Sequence, residues 1–283
     1  MITFIKEMIR EFQKDDVPLL AAAQAYYYLL SAVPLMILLL SVLPYLNLDP
    51  DAAVAVLQSV MPSETASVFE ETVVDVVSTE RGGLLTFGAL GTVWTASLAM
   101  NAFIQAQNSA YNVTETRSFL KARLVSIVLT VCIIIALIVV LLLPVFGDIL
   151  ISFVSSAAAL PPETEQLMRV LRYVVSVVII TLILTALYYF APNRRNRILS
   201  VMPGALFATL AWQLVSFGFS YYVSNFGNYA ATYGSLGGVI VLMLWFFLTG
   251  IILVVGGEMN AILQRRRTLS YDAQEQKKLN IYR

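Results

Sequence analysis

The feature that most limits what this chain can fold into is the apolar run at residues 198–257, which contains no Asp, Glu, Lys or Arg. A helix that crosses the hydrocarbon of a bilayer needs roughly 20 apolar residues. The run is therefore too long for one crossing and has the right length for two. The segment NFGNYAATYGS at residues 225–235 is polar enough to join them outside the hydrocarbon.

Four further charge-free runs cover residues 17–48, 82–114, 124–147 and 173–193. Composition agrees with a membrane location, because 59% of residues are hydrophobic, 13% are charged and the mean hydropathy is +0.78. The sequence predicts an all-α bundle of six transmembrane helices at about residues 18–46, 84–107, 122–147, 167–191, 198–224 and 234–263. It also predicts an amphipathic interfacial helix at 1–16, a helical outer loop at 47–83 and a basic tail at 265–283.

The basic residues orient this bundle, because positively charged loops remain on the cytoplasmic side. With both termini cytoplasmic, all of the 18 Lys and Arg residues except Arg81, Arg169 and Arg172 fall on that side. The sequence therefore predicts cytoplasmic N- and C-termini.

Residue content argues against several kinds of chemistry. The chain has no histidine, and Cys132 is its only cysteine, which excludes internal disulfides and zinc sites built on His or Cys. A net charge of zero argues against nucleic acid as a partner. We therefore expect no catalytic residues, no metal and no cofactor.

Three segments carry a resemblance to a known family. They are DDVPLLAAAQAYYYLLSAVPLMILLLSVLPYL near the start, PNRRNR followed by PGALFATLAWQL, and YGSLGGVIVLMLWFFLTGIILVVGGEMNAIL near the end. Together they resemble the BrkB/YihY family of multi-pass bacterial inner-membrane proteins, across nearly the whole chain. The resemblance implies the inner membrane as location, and its older family label of ribonuclease BN is regarded as a misassignment.

The ribonuclease reading can be tested on the residues. Metal-assisted RNA cleavage needs clustered hard or imidazole ligands. The acids on the predicted cytoplasmic side are scattered among basic residues along the chain, so the sequence predicts no carboxylate cluster. We expect a non-catalytic transporter of a small polar solute or ion. The alternative is an envelope protein that binds or moves lipid or scaffolds partners; an oligomer is compatible with either.

Polar residues inside the predicted crossings are the candidate site. Amides are costly against lipid and must face protein or water. The sequence predicts a solute or ion path lined by Gln24, Tyr27, Ser31, Asn101, Gln105, Asn108, Gln213, Glu258 and Asn260. The alternative is that such groups only hydrogen-bond neighbouring helices, which contributes about 0.6 kcal/mol each.

Glu258 is the only acid inside a predicted crossing, near its cytoplasmic end. Its expected partners are Arg194, Arg195 or Arg197, or the amide of Gln24. It acts either as a buried clamp or, with Asn260, as a proton or cation site that couples to transport. A helix kink or gate is predicted at Pro34, Gly234, Gly237 and Gly238, where close helix packing is the alternative for the glycines.

Overall fold

The computed structural model describes residues 2–46, 74, 82–135, 162–226 and 236–281. The longer described ranges contain seven α-helices. These are α1 (Ile2–Lys14), α2 (Val17–Val42), α3 (Gly82–Ala110), α4 (119–135), α5 (Pro162–Phe190), α6 (Ile198–Phe226) and α7 (Gly237–Ile281). A 3₁₀ turn at Leu43–Leu46 follows α2. The described residues contain no β-strand.

Four of these helices contain segments long and apolar enough to cross a membrane. The segments are Val17–Leu38, Gly82–Ala110, Ile198–Val223 and Leu236–Leu269, and Val174–Phe190 is a shorter apolar segment of α5. The all-helical membrane architecture predicted from the sequence is therefore confirmed. Helix α4, at 119–135, covers the described part of the third predicted crossing.

Several predicted segments lie outside the described residues, and one differs from the structure. The outer loop at 47–83, the connection near 225–235 and Gly234 lie largely or wholly outside the described residues. The last helix extends beyond the predicted crossing 234–263, because α7 continues without interruption to Ile281. The segment 265–281, predicted as a tail, is thus an extension of that helix.

The first of two compact units contains Met1–Tyr26 and Ala99–Arg283. Within it, α6 packs between α5 and α7, and α1 packs against α7. Its largest apolar cluster joins five helices, with buried residues Phe103 of α3, Leu129 of α4, Tyr188 of α5, Val201 of α6 and Ile252 of α7. The α6 and α7 backbones come together closely because Gly204 faces the carbonyl oxygen of Gly256.

The second unit contains Tyr27–Leu98. Its glycines also allow close packing, since a Cβ atom on Gly88 of α3 would lie 2.8 Å from the Leu38 nitrogen of α2. One turn further along α3, a Cβ atom on Gly91 would lie 3.2 Å from the Pro34 Cβ. Helix α2 continues through Pro34 to Val42. The contact at Pro34 is therefore helix packing against α3.

Candidate functional site

Glu258 of α7 is the centre of a buried acidic cluster. Its side chain is 0% exposed, and neither of its carboxylate oxygens has a hydrogen-bond partner in the part of the chain that the structure describes. Carboxylate oxygens of Glu11, Asp15 and Glu258 all lie within 4.8 Å of one another. These three residues are named the acidic triad here.

The local fold of the first 20 residues places two members of the triad. The Asp15 N–H donates to the Glu11 carbonyl at 2.9 Å, so the helical hydrogen-bond pattern of α1 extends to Asp15. Because Glu11 and Asp15 are four residues apart, their side chains lie on the same side of this helix. Asp16 then adopts a left-handed conformation with φ of 46°. Asp tolerates this region better than most residues other than glycine. The chain turns there, and α2 begins at Val17.

Basic groups surround the Glu11 side of the triad. Arg265 of α7 lies 3.2 Å from the Glu11 carboxylate, Arg10 lies 3.2 Å from it and Lys14 lies 3.4 Å from it. Burial acts to raise the pKa of Glu11, but the hydrogen bond and charge of Arg265, with help from Lys14 and Arg10, outweigh burial and hold that pKa below its usual value. Glu11 is therefore ionised at neutral pH.

Several other polar atoms in this region are buried without a hydrogen bond. Asp15 Oδ1 lies 3.8 Å from the Lys14 ammonium, but Asp15 Oδ2 is buried with no hydrogen-bond partner among the described residues. The same is true of Gln107 Oε1 on α3 and of the Tyr111 hydroxyl just after it. Burial raises the pKa of Tyr111, Arg194 opposes that rise, and the charge of Glu258 adds to it. Tyr111 therefore lies within the electrostatic field of Glu258.

Two sequence predictions are corrected by this geometry. The prediction of no carboxylate cluster was wrong, because the chain folds so that α1 and α7 bring Glu11, Asp15 and Glu258 together. The nearest charged neighbours of Glu258 also differ from the predicted arginines. Arg194 instead stacks over the Tyr111 ring, with 5.9 Å between its guanidinium carbon and the ring centroid.

Asn260, two residues beyond Glu258, has different surroundings. It is 0% exposed, its Oδ1 accepts from the Gly204 N–H at 2.7 Å, and its Nδ2 donates to the Val201 carbonyl at 2.9 Å. Both atoms of the amide thus bind the first turns of α6. This arrangement fastens α7 to α6.

The predicted amide row of α3 does not form one uniformly buried face. Asn101 is partly buried, Gln105 is exposed and Asn108 is buried. Asn108 lies near the end of α3, where it donates to Glu115 at 3.0 Å and accepts from the Asn193 N–H at 2.7 Å. Its two amide atoms therefore join α3 to the segments that follow α3 and α5.

The remaining predicted residues are spread over several helices. Gln24 is fully buried in α2 and donates to the Leu20 carbonyl at 3.3 Å. Ser31 donates to the Tyr28 carbonyl at 2.7 Å, and Tyr27 is partly buried. Gln213 of α6 is exposed. Of the predicted gate residues, Gly237 begins α7 and is buried. Gly238 is exposed, and a Cβ added there would meet no neighbouring atom of the described residues within 4 Å.

Sequence reasoning missed Glu11, Asp15 and Gln107 as parts of the site. The i, i+4 spacing of Glu11 and Asp15 is a signal that could have paired them on one face. Gln107 lies off the predicted amide row, yet it is fully buried and its amide donates to the Leu253 carbonyl of α7 at 3.5 Å. No feature of the sequence indicates that contact, because it depends on which face of α3 meets α7.

Comparison with known proteins now fixes the family. The profile described as Virulence factor BrkB matches residues 8–280. The chain belongs to this family. It is 40% identical to the ribonuclease-like protein YfkH of Bacillus subtilis (strain 168), over 95% of this chain and 98% of that protein. The BrkB/YihY resemblance read from the sequence is thereby confirmed.

Other relatives carry names that describe location rather than activity. The chain is 30% identical to a UPF0761 membrane protein of Tolumonas auensis, over 92% of this chain and 86% of that protein. It is 25% identical to the UPF0761 membrane protein VV0203 of Vibrio vulnificus (strain YJ016), over 94% and 83% respectively. No solved structure matches the chain. Together with the four long apolar helical segments, these matches establish a membrane protein.

Proposed function

We propose that this BrkB-family protein is a non-catalytic transporter of a small polar solute or ion in the bacterial inner membrane. In this proposal the chain crosses the membrane six times and keeps both termini in the cytoplasm. The charge-free runs and the distribution of Lys and Arg support that topology. Glu258 and the acidic triad provide the coupling site, and Gln24 and Asn101 remain candidates for the path.

The observation that supports the proposal most strongly is that Glu258 is buried without a hydrogen-bond partner among the described residues. A buried carboxylate without hydrogen bonds costs several kcal/mol, which a purely structural residue would not need to impose on the fold. Intramembrane acids are therefore most often parts of ion or proton pathways. Glu258 meets this description because it lies within the apolar segment Leu236–Leu269 and both its oxygens are without partners among the described residues.

The name of the YfkH relative makes RNA cleavage the competing activity. The burial of the acidic triad argues against it. Glu11 is 2% exposed and Glu258 is 0% exposed, so an RNA phosphodiester has no access to their carboxylates in this conformation. A site for a small ion or solute fits this burial better than a site for a polymer.

A flux experiment tests the proposal. The full chain is reconstituted in liposomes, and a panel of polar solutes and salts is screened by osmotic light scattering and by internal pH and ion indicators. We expect at least one solute or ion to cross faster than in protein-free vesicles, and Glu258→Gln to abolish that difference. The matched control is Glu7→Gln, an acid on α1 whose partner is Arg266 at 2.7 Å rather than the triad.

Two results would remove the transport proposal. One is the absence of flux for the whole panel in vesicles that hold folded, correctly oriented protein. The other is scrambling of labelled phospholipid between leaflets by the wild-type chain with no solute flux, which would establish the lipid-handling alternative.

The topology has its own test. In a Cys132→Ser background, a membrane-impermeant thiol reagent applied to intact cells should label Ser67→Cys and should leave Asn196→Cys unlabelled. Labelling of Asn196→Cys from outside would overturn the proposed orientation.

A further inference from the structure

The acidic triad combines three features of an ion-binding site. Its carboxylates come from α1, from the turn before α2 and from α7, so that segments distant in sequence converge on one point. Glu258, which is fully buried, contributes a carboxylate oxygen to the cluster, and neither of its oxygens has a hydrogen-bond partner among the described residues. Asp15 Oδ2 is likewise buried without such a partner.

Hydrogen bonding shows which oxygens of the cluster lack a donor. Arg10, Lys14 and Arg265 contact the Glu11 carboxylate. Lys14 also lies 3.8 Å from Asp15 Oδ1 and donates to Asn112 Oδ1 at 2.6 Å. Asp15 Oδ2 and Glu258 receive no hydrogen bond from any of them within the described ranges. Three carboxylates this close repel one another unless one of them is protonated or a positive charge lies between them.

Ligand chemistry narrows the class of that positive charge. The triad offers only carboxylate oxygens, which are the hard ligands preferred by Mg²⁺, Ca²⁺ and Mn²⁺. Metal–oxygen distances of roughly 2.0–2.6 Å put opposite ligands about 4–5 Å apart. The spacing of at most 4.8 Å among the triad oxygens agrees with this range.

We propose that Glu11, Asp15 and Glu258 bind one divalent cation of this oxygen-preferring class, which joins α1 to α7. The ion shields the carboxylates from one another and supplements the Glu11–Arg265 and Glu7–Arg266 ion pairs between the same two helices. The inference names a ligand for the site on which the proposed function rests. Its test measures ion binding rather than flux, so that each proposal can fail without the other.

Mn²⁺ is the probe, because its electron paramagnetic resonance signal distinguishes free from bound ion. The full chain is purified in detergent, stripped with EDTA and titrated with Mn²⁺, and Mg²⁺ and Ca²⁺ are then added as competitors. We expect saturable binding of one Mn²⁺ per chain, displaced by at least one competitor. Glu258→Gln and Asp15→Asn should each weaken binding by about tenfold or more, while Glu7→Gln leaves it unchanged. Two triad variants are used so that the test remains valid if one of them does not fold.

Thermal unfolding supplies a second readout. A cation that binds the folded chain raises the unfolding temperature with increasing concentration, and this dependence should disappear in Glu258→Gln. The proposal is overturned by wild-type protein that binds no Mn²⁺ saturably, or by Mn²⁺ binding that both triad variants retain. Stabilisation by acidification without any effect of divalent cations would also overturn it, in favour of a shared proton. Mn²⁺ binding without flux would leave this inference standing and remove only the transport proposal.

Discussion

Glu258 and Asn260, two buried polar side chains that lie two residues apart in α7, have opposite surroundings. Asn260 satisfies both atoms of its amide on the backbone of α6, at 2.7 Å from the Gly204 nitrogen and 2.9 Å from the Val201 oxygen. Glu258 has no hydrogen bond among the described residues and faces two further carboxylates. The two side chains are equally buried, but the hydrogen-bonding groups of Asn260 all have partners and those of Glu258 have none among the described residues.

The difference separates a structural role from a functional one. A buried polar group that is fully hydrogen-bonded specifies how two elements pack, and its loss costs the desolvation of the groups left behind. A buried acid without partners lowers stability and persists where function requires it. The α6–α7 contact at Asn260 therefore holds the fold together, and the acidic triad is the part of the molecule available for binding.

The largest effect is expected for Gly204→Ala in the α6–α7 contact. The new Cβ would overlap the Gly256 carbonyl oxygen and the Asn260 amide, so the two helices must separate. We expect a loss of about 3 kcal/mol or failure to fold, measured by unfolding in detergent. Gly218→Ala is the control on the same helix, because among the described residues its new Cβ would meet no atom of another helix within 4 Å. Equal destabilisation by both variants would show that the close contact is not important.

Asn260→Leu should have the next largest effect. It removes both hydrogen bonds to α6 and leaves a buried N–H and a buried carbonyl with one partner fewer, which costs about 2 kcal/mol. The measurement is again the free energy of unfolding. Gln213→Leu, at an exposed amide of α6, should change it by less than about 0.5 kcal/mol. An Asn260→Leu protein as stable as wild type would show that the Asn260 hydrogen bonds do not stabilise the fold.

A moderate effect is expected at Glu115, which belongs to the satisfied network around Asn108. Hydrogen bonds from Arg117, at 2.8 Å, hold the pKa of Glu115 below its usual value despite partial burial. A lowered folded-state pKa gives stability that is present above about pH 4.5 and is lost as the pH falls through the folded pKa. Glu115→Gln should cost about 1 kcal/mol at pH 7 and less at pH 3.5, measured by thermal unfolding. A cost that does not shrink on acidification would contradict the assigned ion pair.

The smallest effect is expected for Glu7→Gln, which removes the ion pair with Arg266 between α1 and α7. Both side chains are partly exposed, so solvent screening limits the loss of unfolding free energy to roughly 0.5 kcal/mol. Thermal unfolding at low and high salt checks this value, because a screened pair should lose its contribution at high salt. A loss above about 2 kcal/mol would mean that α1 is held chiefly by this pair rather than at the acidic triad.

The sequence predicts the helices far better than their contacts. Charge-free runs report on the bilayer directly, and for that reason the start of α6 at Ile198 agrees with the prediction. Hydropathy indicates where a helix leaves the apolar phase and not where it ends, and α7 continues as a polar helix beyond the predicted crossing 234–263. Periodicity also assigns residues to one helix at a time. It could not bring Glu11 and Asp15 to Glu258, because that meeting depends on how α1 docks against α7.

If Glu258 serves binding rather than stability, replacing its carboxylate should not destabilise the fold. The unfolding free energy of Glu258→Gln measures this. Wild type and variant are unfolded in the same detergent with EDTA present, so that no divalent ion contributes. Glu258→Gln should be as stable as wild type or more stable, because the substitution removes a buried acid and no hydrogen bond among the described residues. A loss of about 2 kcal/mol or more would contradict the account and make Glu258 a structural clamp like Asn260.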